Sequence, residues 1–264
     1  MEKYEKRKIV KWEDGELKEI TDDLVVETSL EISVENEEVV TTLCSPGDEK
    51  ALAVGFLSSE GIIDGVAAIE GVVHREEDKL VKVSLSSGGE KLEEYFQRKR
   101  ALTSSCGRAR AVIEKLERYS IGESSHATFE PTEIVQLMKA LQRKSELFQL
   151  TGGSHTAALA SAGELLYLAE DIGRHNAVDK AIGKGLLSGR DLRELVLLTS
   201  GRLSSEMVLK AVRSSIPILV SRSASTTLAT RIARLADLTI IGFTRGNRMT
   251  IYSGEERLDG PEYT

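Results

Sequence analysis

The chain has 264 residues, 41% apolar and 29% charged, which is enough apolar side chain for a full core and excludes a disordered chain. A formal charge of −7 argues against nonspecific binding along nucleic acid, and no apolar run reaches the length of a membrane span. The charged start Met1-Glu2-Lys3-Tyr4-Glu5-Lys6-Arg7-Lys8 has no apolar h-region after it, so a soluble cytoplasmic protein is expected, with no membrane association.

In chain order, Thr21 to Val34, Glu38 to Leu43 and Gly71 to Leu85 are rich in Val, Thr and Ile or alternate apolar with polar side chains, and predict strands. Between them, Ser45-Pro46-Gly47-Asp48 offers a helix cap. Ala51, Leu52, Phe56 and Leu57 then supply the buried stripe, and Gly61 stops the helix. The segment Leu85 to Tyr119 carries the cations Arg98, Lys99, Arg100, Arg108 and Arg110 around Thr103-Ser104-Ser105-Cys106-Gly107-Arg108. Such a cluster can hold one anionic ligand, and a small phosphorylated partner suits it better than DNA. Ala109 to Tyr119 has the apolar spacing of a short helix, which would place Cys106 at a helix N-terminus among cations. There the dipole and the Coulomb field stabilise a thiolate. An ordinary exposed turn thiol fits the same residues equally well.

Gly122 to Pro131 reads as a polar connector and Thr132 to Phe148 as a helix, so the domain boundary is placed here. Residues 1–120 form a strand-rich N-terminal domain and 121–264 a second domain. From Thr151 the chain alternates strand and helix. His155 to Leu159, Leu165 to Ala169, Leu195 to Thr199, Ile218 to Ser221 and Leu238 to Phe243 are strands; Asn176 to Leu187, Ser205 to Ser214 and Thr226 to Leu235 are helices. This predicts an α/β layer of largely parallel, buried strands with helices on both faces.

In such a sheet the ligand crevice lies beyond the carboxyl ends of the strands. The segments there are Glu170-Asp171-Ile172-Gly173-Arg174-His175-Asn176, Ser200-Gly201-Arg202-Leu203-Ser204-Ser205-Glu206, Ser221-Arg222-Ser223-Ala224-Ser225-Thr226-Thr227 and Gly242-Phe243-Thr244-Arg245-Gly246-Asn247-Arg248. All four combine glycine, small hydroxyls and arginine, the set that suits a nucleotide or other diphosphate. Phe243 with Arg245 and Arg248 is the most ligand-like group, an aromatic face beside two cations. Ser204, Ser225 and Thr226 also fit as plain helix caps, Asp171 and Arg174 as a pair with each other, and His155 and His175 as structural imidazoles. Gly152-Gly153 fits a tight turn. Neither a P-loop, nor Gly-x-Gly-x-x-Gly, nor a serine-hydrolase elbow is present. Two cysteines and four scattered histidines give no zinc spacing, so no metal site is expected.

The runs Thr151-Gly152-Gly153-Ser154-His155-Thr156, Glu170-Asp171-Ile172-Gly173-Arg174-His175-Asn176-Ala177-Val178-Asp179-Lys180, Ser200 to Glu206, and Gly242 to Arg248 resemble the formate dehydrogenase accessory protein family (FdhD). Gly55-Phe56-Leu57-Ser58-Ser59-Glu60-Gly61-Ile62-Ile63 resembles it in the first half, and the similarity runs from Glu27 to Tyr252. The resemblance implies a sulfurtransferase, a sulfur carrier that moves sulfane sulfur from a cysteine desulfurase to the molybdenum (or tungsten) cofactor of formate dehydrogenase. It implies that Cys106 bears the persulfide. It also implies a homodimer and a C-terminal three-layer α/β domain of cytidine-deaminase-like topology without zinc. That domain would bind Mo-bis(molybdopterin guanine dinucleotide) as substrate, with a GDP-like guanine nucleotide as partial ligand, through Phe243, Thr244, Arg245, Gly246, Asn247 and Arg248. Gly153, His155, Asp171, Arg174, His175, Ser200, Arg202 and Ser225 join them as the expected lining. One departure stands out: where the family often carries Cys-x-x-Cys, this chain has Cys106-Gly107-Arg108-Ala109. A lone thiol still accepts sulfur as a persulfide but cannot resolve it into a local disulfide, which keeps a cofactor-binding chaperone as the alternative. A zinc nucleoside deaminase is the weakest reading, for want of the paired cysteines.

Overall fold

The computed structural model describes residues 2–86, 89–101, 128–161 and 163–259. Cys106 with its loop, the expected helix Ala109 to Tyr119 and the 120/121 boundary lie outside them. The chain opens with a ribbon, β1 (Tyr4–Glu13) antiparallel to β2 (Glu16–Val25). Asp14 and Gly15 turn it, both with positive φ, the pair of left-handed residues that a two-residue hairpin asks for. The strand expected over Thr21 to Val34 is therefore two. β2 ends at Val25, and β3 (Thr28–Val34) belongs to a different sheet.

That second sheet has four strands in the order β4-β3-β6-β5, with β4 (Glu37–Cys44), β5 (Ile69–Arg75) and β6 (Leu80–Leu85). The expected single strand Gly71 to Leu85 is also a hairpin. It folds back at residues 76–79, where Lys79 takes a left-handed φ of 52°. Packed on this sheet is α1 (Glu49–Ser59), which begins after a left-handed Asp48 rather than at Ser45. Ser45 is drawn instead into the second half of the chain, where its hydroxyl accepts from Ile172 N at 3.1 Å and its N–H donates to Asp171 Oδ2 at 3.0 Å. α2 (Glu90–Ala101) was not expected; Leu92 is buried on it, and Tyr95 packs edge-on against Phe56 of α1 at 6.5 Å.

The expected helix Thr132 to Phe148 is broken into α3 (Pro131–Arg143) and α4 (Glu146–Thr151). The break has a tertiary cause: the Glu170 carboxylate accepts from Leu147 N and Phe148 N at 2.9 and 3.0 Å, holding the start of α4 where a continuous helix would have used those donors itself.

The third sheet has six strands in the order β12-β11-β10-β9-β7-β8. They are β7 (His155–Ser161), β8 (Glu164–Asp171), β9 (Val196–Thr199), β10 (Ile218–Ser221), β11 (Thr239–Arg245) and β12 (Arg248–Ser253). Only β9, β10 and β11 pair in parallel, so the sheet is mixed rather than largely parallel. Short connections decide this: β7 to β8 and β11 to β12 turn within two residues, too few for a crossover. Between the strands run α5 (Arg174–Leu187), α6 (Ser205–Arg213) and α7 (Thr227–Leu235).

Successive strand residues face opposite ways, as a pleat requires. Leu159, Leu197, Leu219 and Ile240 point toward α5, α6 and α7, into a core that also takes in α1 and the four-stranded sheet. Ala158, Leu198, Val220 and Ile241 point the other way, onto Ile134, Leu137, Met138 and Leu141 of α3. α1 and α5 cross at glycines: a Cβ at Gly55 would sit 1.8 Å from Asp179 O, and one at Gly183 1.8 Å from Ala51 O. No helix of the described residues is long and apolar enough to cross a membrane.

Candidate functional site

The parallel trio β9, β10 and β11 ends on one edge of the six-stranded sheet. Register carries the others to it, His155 lying opposite Asp171, Ala157 opposite Thr199, and Arg245 opposite Arg248. The four segments read as a crevice in the sequence thus share one edge. The segments after β9 and β10 are tied together there, Leu203 N donating to Ala224 O at 2.9 Å and Thr226 N to Leu203 O at 3.0 Å.

At the β11 end, Phe243 takes a left-handed φ of 49°, and the chain at Gly242 runs so close to the segment after β10 that a Cβ there would meet Ser223 O at 2.7 Å. The strand bulges between Gly242 and Arg245, and the Phe243 ring is left 41% exposed. The Arg245 guanidinium stands 5.7 Å from the ring centroid and its Nε donates to Arg222 O at 2.8 Å, so ring and cation form one fixed unit. Thr244 is buried, its Oγ1 without a partner among the described residues. Gly246 makes the left-handed turn, Asn247 Oδ1 accepts from Lys139 Nζ at 2.7 Å, and Arg202, Arg222 and Arg248 are exposed.

On the other side of the trio, His155 Nδ1 lies 3.1 Å from Ser200 Oγ, which also accepts from Thr156 N at 3.0 Å. Burial, and next the neighbouring Arg174, push the His155 ring down from its ordinary range. His175 is pushed further, to about 4, by burial, then Arg174 and Lys210, with Glu206 opposing; the ring is neutral near pH 7. Its Nε2 is buried and unpartnered, since the Glu206 carboxylate 3.2 Å away lies off the hydrogen-bond direction. Arg174 lays its stem on Gly201, where a Cβ would meet it at 2.9 Å, and its Nε too is buried without a partner.

Three expected residues are engaged within the protein. Asp171 is fully buried and pairs with Lys180 at 2.7 Å, not with Arg174; it also accepts from Ser45 N, Gly173 N and Asn176 Nδ2. Ser225 Oγ is engaged with Thr230 Oγ1 at 3.2 Å. Gly153 abuts the ribbon, where a Cβ would press on Val25 at 2.8 Å. The sequence reading named Lys180, Glu206 and Arg222 only as members of longer runs, without a role of their own, and passed over Lys210. Asp179-Lys180 sits inside the Glu170 to Lys180 run, between apolar Val178 and Ala181, and charges in such company were the available signal.

The sequence pattern of the FdhD/NarQ family matches residues 25–259, nine-tenths of the chain. The chain belongs to the FdhD/NarQ family. Two relatives named sulfur carrier protein FdhD are similar to it from end to end. The protein of Listeria innocua is 36% identical over 261 residues, covering 98% of this chain and 100% of its own. The protein of Geobacillus kaustophilus is 36% identical over 257 residues, covering 96% of each. A solved chain from Desulfotalea psychrophila, described as a formate dehydrogenase accessory protein, superposes with a TM-score of 0.80 at 24% identity. It covers 97% of this chain and 99% of that one, and so shows the fold.

Proposed function

We propose that this FdhD/NarQ protein is a sulfur carrier for formate dehydrogenase. Cys106 accepts sulfane sulfur from a cysteine desulfurase, and the arginine edge binds the molybdenum or tungsten pterin guanine dinucleotide that receives it. In the loading step the Cys106 thiolate attacks the outer sulfur of the donor persulfide, forming the new S–S bond, and the donor cysteine leaves as thiolate. The observation that carries the cofactor half is the edge itself. Arg174, Arg202, Arg222, Arg245 and Arg248 gather where three parallel strands end, with Arg174 Nε and Thr244 Oγ1 buried and unanswered beside them. These residues fit a diphosphate, and the exposed Phe243 face fits a flat ring. A cytidine-deaminase-like C-terminal half and a homodimer belong to the same reading.

Incubation of the full chain with a cysteine desulfurase and cysteine, followed by intact mass, tests the carrier. One added sulfur on the wild type and none on Cys106→Ala is expected; no addition to the wild type, or equal addition to the variant, sinks it. Ala109, where relatives often place a second cysteine, favours a second reading as a cofactor chaperone. On that reading Cys106→Ala restores formate dehydrogenase activity to a deletion strain and Arg245→Ala does not.

A further inference from the structure

Arg174 is the first residue of α5. Its stem rests on Gly201 and its Nε is buried with no partner among the described residues, so the direction of the side chain follows from the turn that carries it, Ile172-Gly173, between β8 and α5. That turn is tied down from both halves of the chain. The Asp171 carboxylate at the end of β8 accepts from Gly173 N at 2.9 Å and from Asn176 Nδ2 at 3.0 Å, and it pairs with Lys180 of α5 at 2.7 Å. The remaining ties come from the end of β4. Ser45 Oγ accepts from Ile172 N at 3.1 Å, Ser45 N donates to Asp171 Oδ2 at 3.0 Å, and Ser45 O accepts from Lys180 Nζ at 2.7 Å. Leu43 O accepts from Asn176 Nδ2 at 2.7 Å. Ser45, Asp171 and Lys180 are all fully buried.

Both backbone donors of the turn are answered by buried side chains, so swinging it breaks bonds inside the core rather than exchanging them with water. An arginine delivered at a fixed angle forks onto two phosphate oxygens, whereas one on a loose turn has to be ordered when the anion binds, at a cost in affinity. Because Ser45 is buried away from any ligand, its effect on an anion passes through the turn. Asp171 and Lys180 are poor probes of the same knot, since removing either leaves the other as an unmatched charge in the core. Ser45→Ala deletes a single acceptor and keeps the backbone N–H and C=O that serve Asp171 and Lys180.

We infer that Ser45 is a positioning residue for Arg174: the first half of the chain, without touching the ligand, sets how tightly the strand-end edge holds a diphosphate. The inference rests on the reading of that edge as a diphosphate site. Calorimetric titration of the full chain with inorganic pyrophosphate separates the two. Ser45→Ala is expected to weaken pyrophosphate about three- to tenfold, and to add less than about twofold once Arg174→Ala is present. In the Arg245→Ala background it keeps its full effect. Binding unchanged by Ser45→Ala, or the same further loss in both backgrounds, overturns the assignment and leaves the diphosphate reading standing. If the wild type binds no pyrophosphate, the diphosphate reading fails and the inference falls with it. Hydrogen exchange follows the turn without any ligand: amides of residues 172–174 exchange at least about tenfold faster in Ser45→Ala, while those of Leu197 and Leu219 keep their protection. Uniform loosening of the chain, or no change at the turn, shows that Ser45 does not hold Arg174 and also overturns the assignment.

Discussion

Among the described residues two lysines are buried, and each meets an aspartate and a serine of α1 or its approach. Lys180 meets Asp171 and donates to Ser45 O at 2.7 Å; Lys210 meets Asp179 and donates to Ser59 Oγ at 2.8 Å, with the Phe56 ring 5.7 Å away. Burial pushes the Asp179 carboxyl up, against Lys210 and Ser59, which pull it down. Removing the cation leaves a carboxylate in the core, so Lys210→Met is expected to destabilise by about 3–5 kcal/mol. Adding Asp179→Leu should restore most of the loss, because the pair as a unit contributes little net stability. Urea denaturation of the single and double variants checks this, and a single variant within about 0.5 kcal/mol of wild type would refute it. Such lysines are hard to read from a sequence because charge normally signals solvent. Asp171 was legible as a residue of the sheet edge. Its inward role was not, since Lys180 and Ser45, its real partners, come to it only through packing.

At the scale of elements, the crossing of α1 and α5 depends on two residues without side chains. A methyl at Gly55 would overlap a backbone carbonyl, which cannot rotate away as a side chain does. Gly55→Ala should therefore cost about 3 kcal/mol or more by forcing the helices apart, although alanine is the better helix former. A raised or unchanged melting temperature would contradict the geometry. Elements with strong local signals are found close to where their residues predict them: β9, β10, α6 and α7 lie within about a residue or two of their expected bounds. The misreadings have local reasons. Residues 76–79 reverse the chain with no glycine, proline or asparagine to mark the turn, so β5 and β6 merged into one strand. α3 and α4 merged because the carboxylate that separates them comes from β8. The Asp14-Gly15 signal was present in the sequence and would have shown the ribbon.

The molecule as a whole joins a core shared by two sheets to a ribbon that pairs with neither. β1 and β2 pair with no other strand among the described residues. Val10, Trp12 and Leu17 near the tip are 65%, 68% and 73% exposed, and the family pattern begins only at Val25. A two-stranded ribbon gains little burial of its own. Amides of β1 are thus expected to exchange at least about 100-fold faster than those of Leu197 and Leu219, which sit between two layers of helix. Equal protection of ribbon and core in hydrogen exchange would show that the ribbon is covered.

Taken alone, the sequence determined the alternation of buried strands and helices in the second half, and hence the edge on which polar segments collect. Apolar runs and cap residues act locally, within a turn or two of chain. Tertiary structure alone decided strand direction, the break before α4, the partners of Asp171 and Asp179, and the packing that brings Glu206 beside His175. These depend on groups distant in sequence meeting across a packed core, and neither periodicity nor a motif encodes which of them will meet.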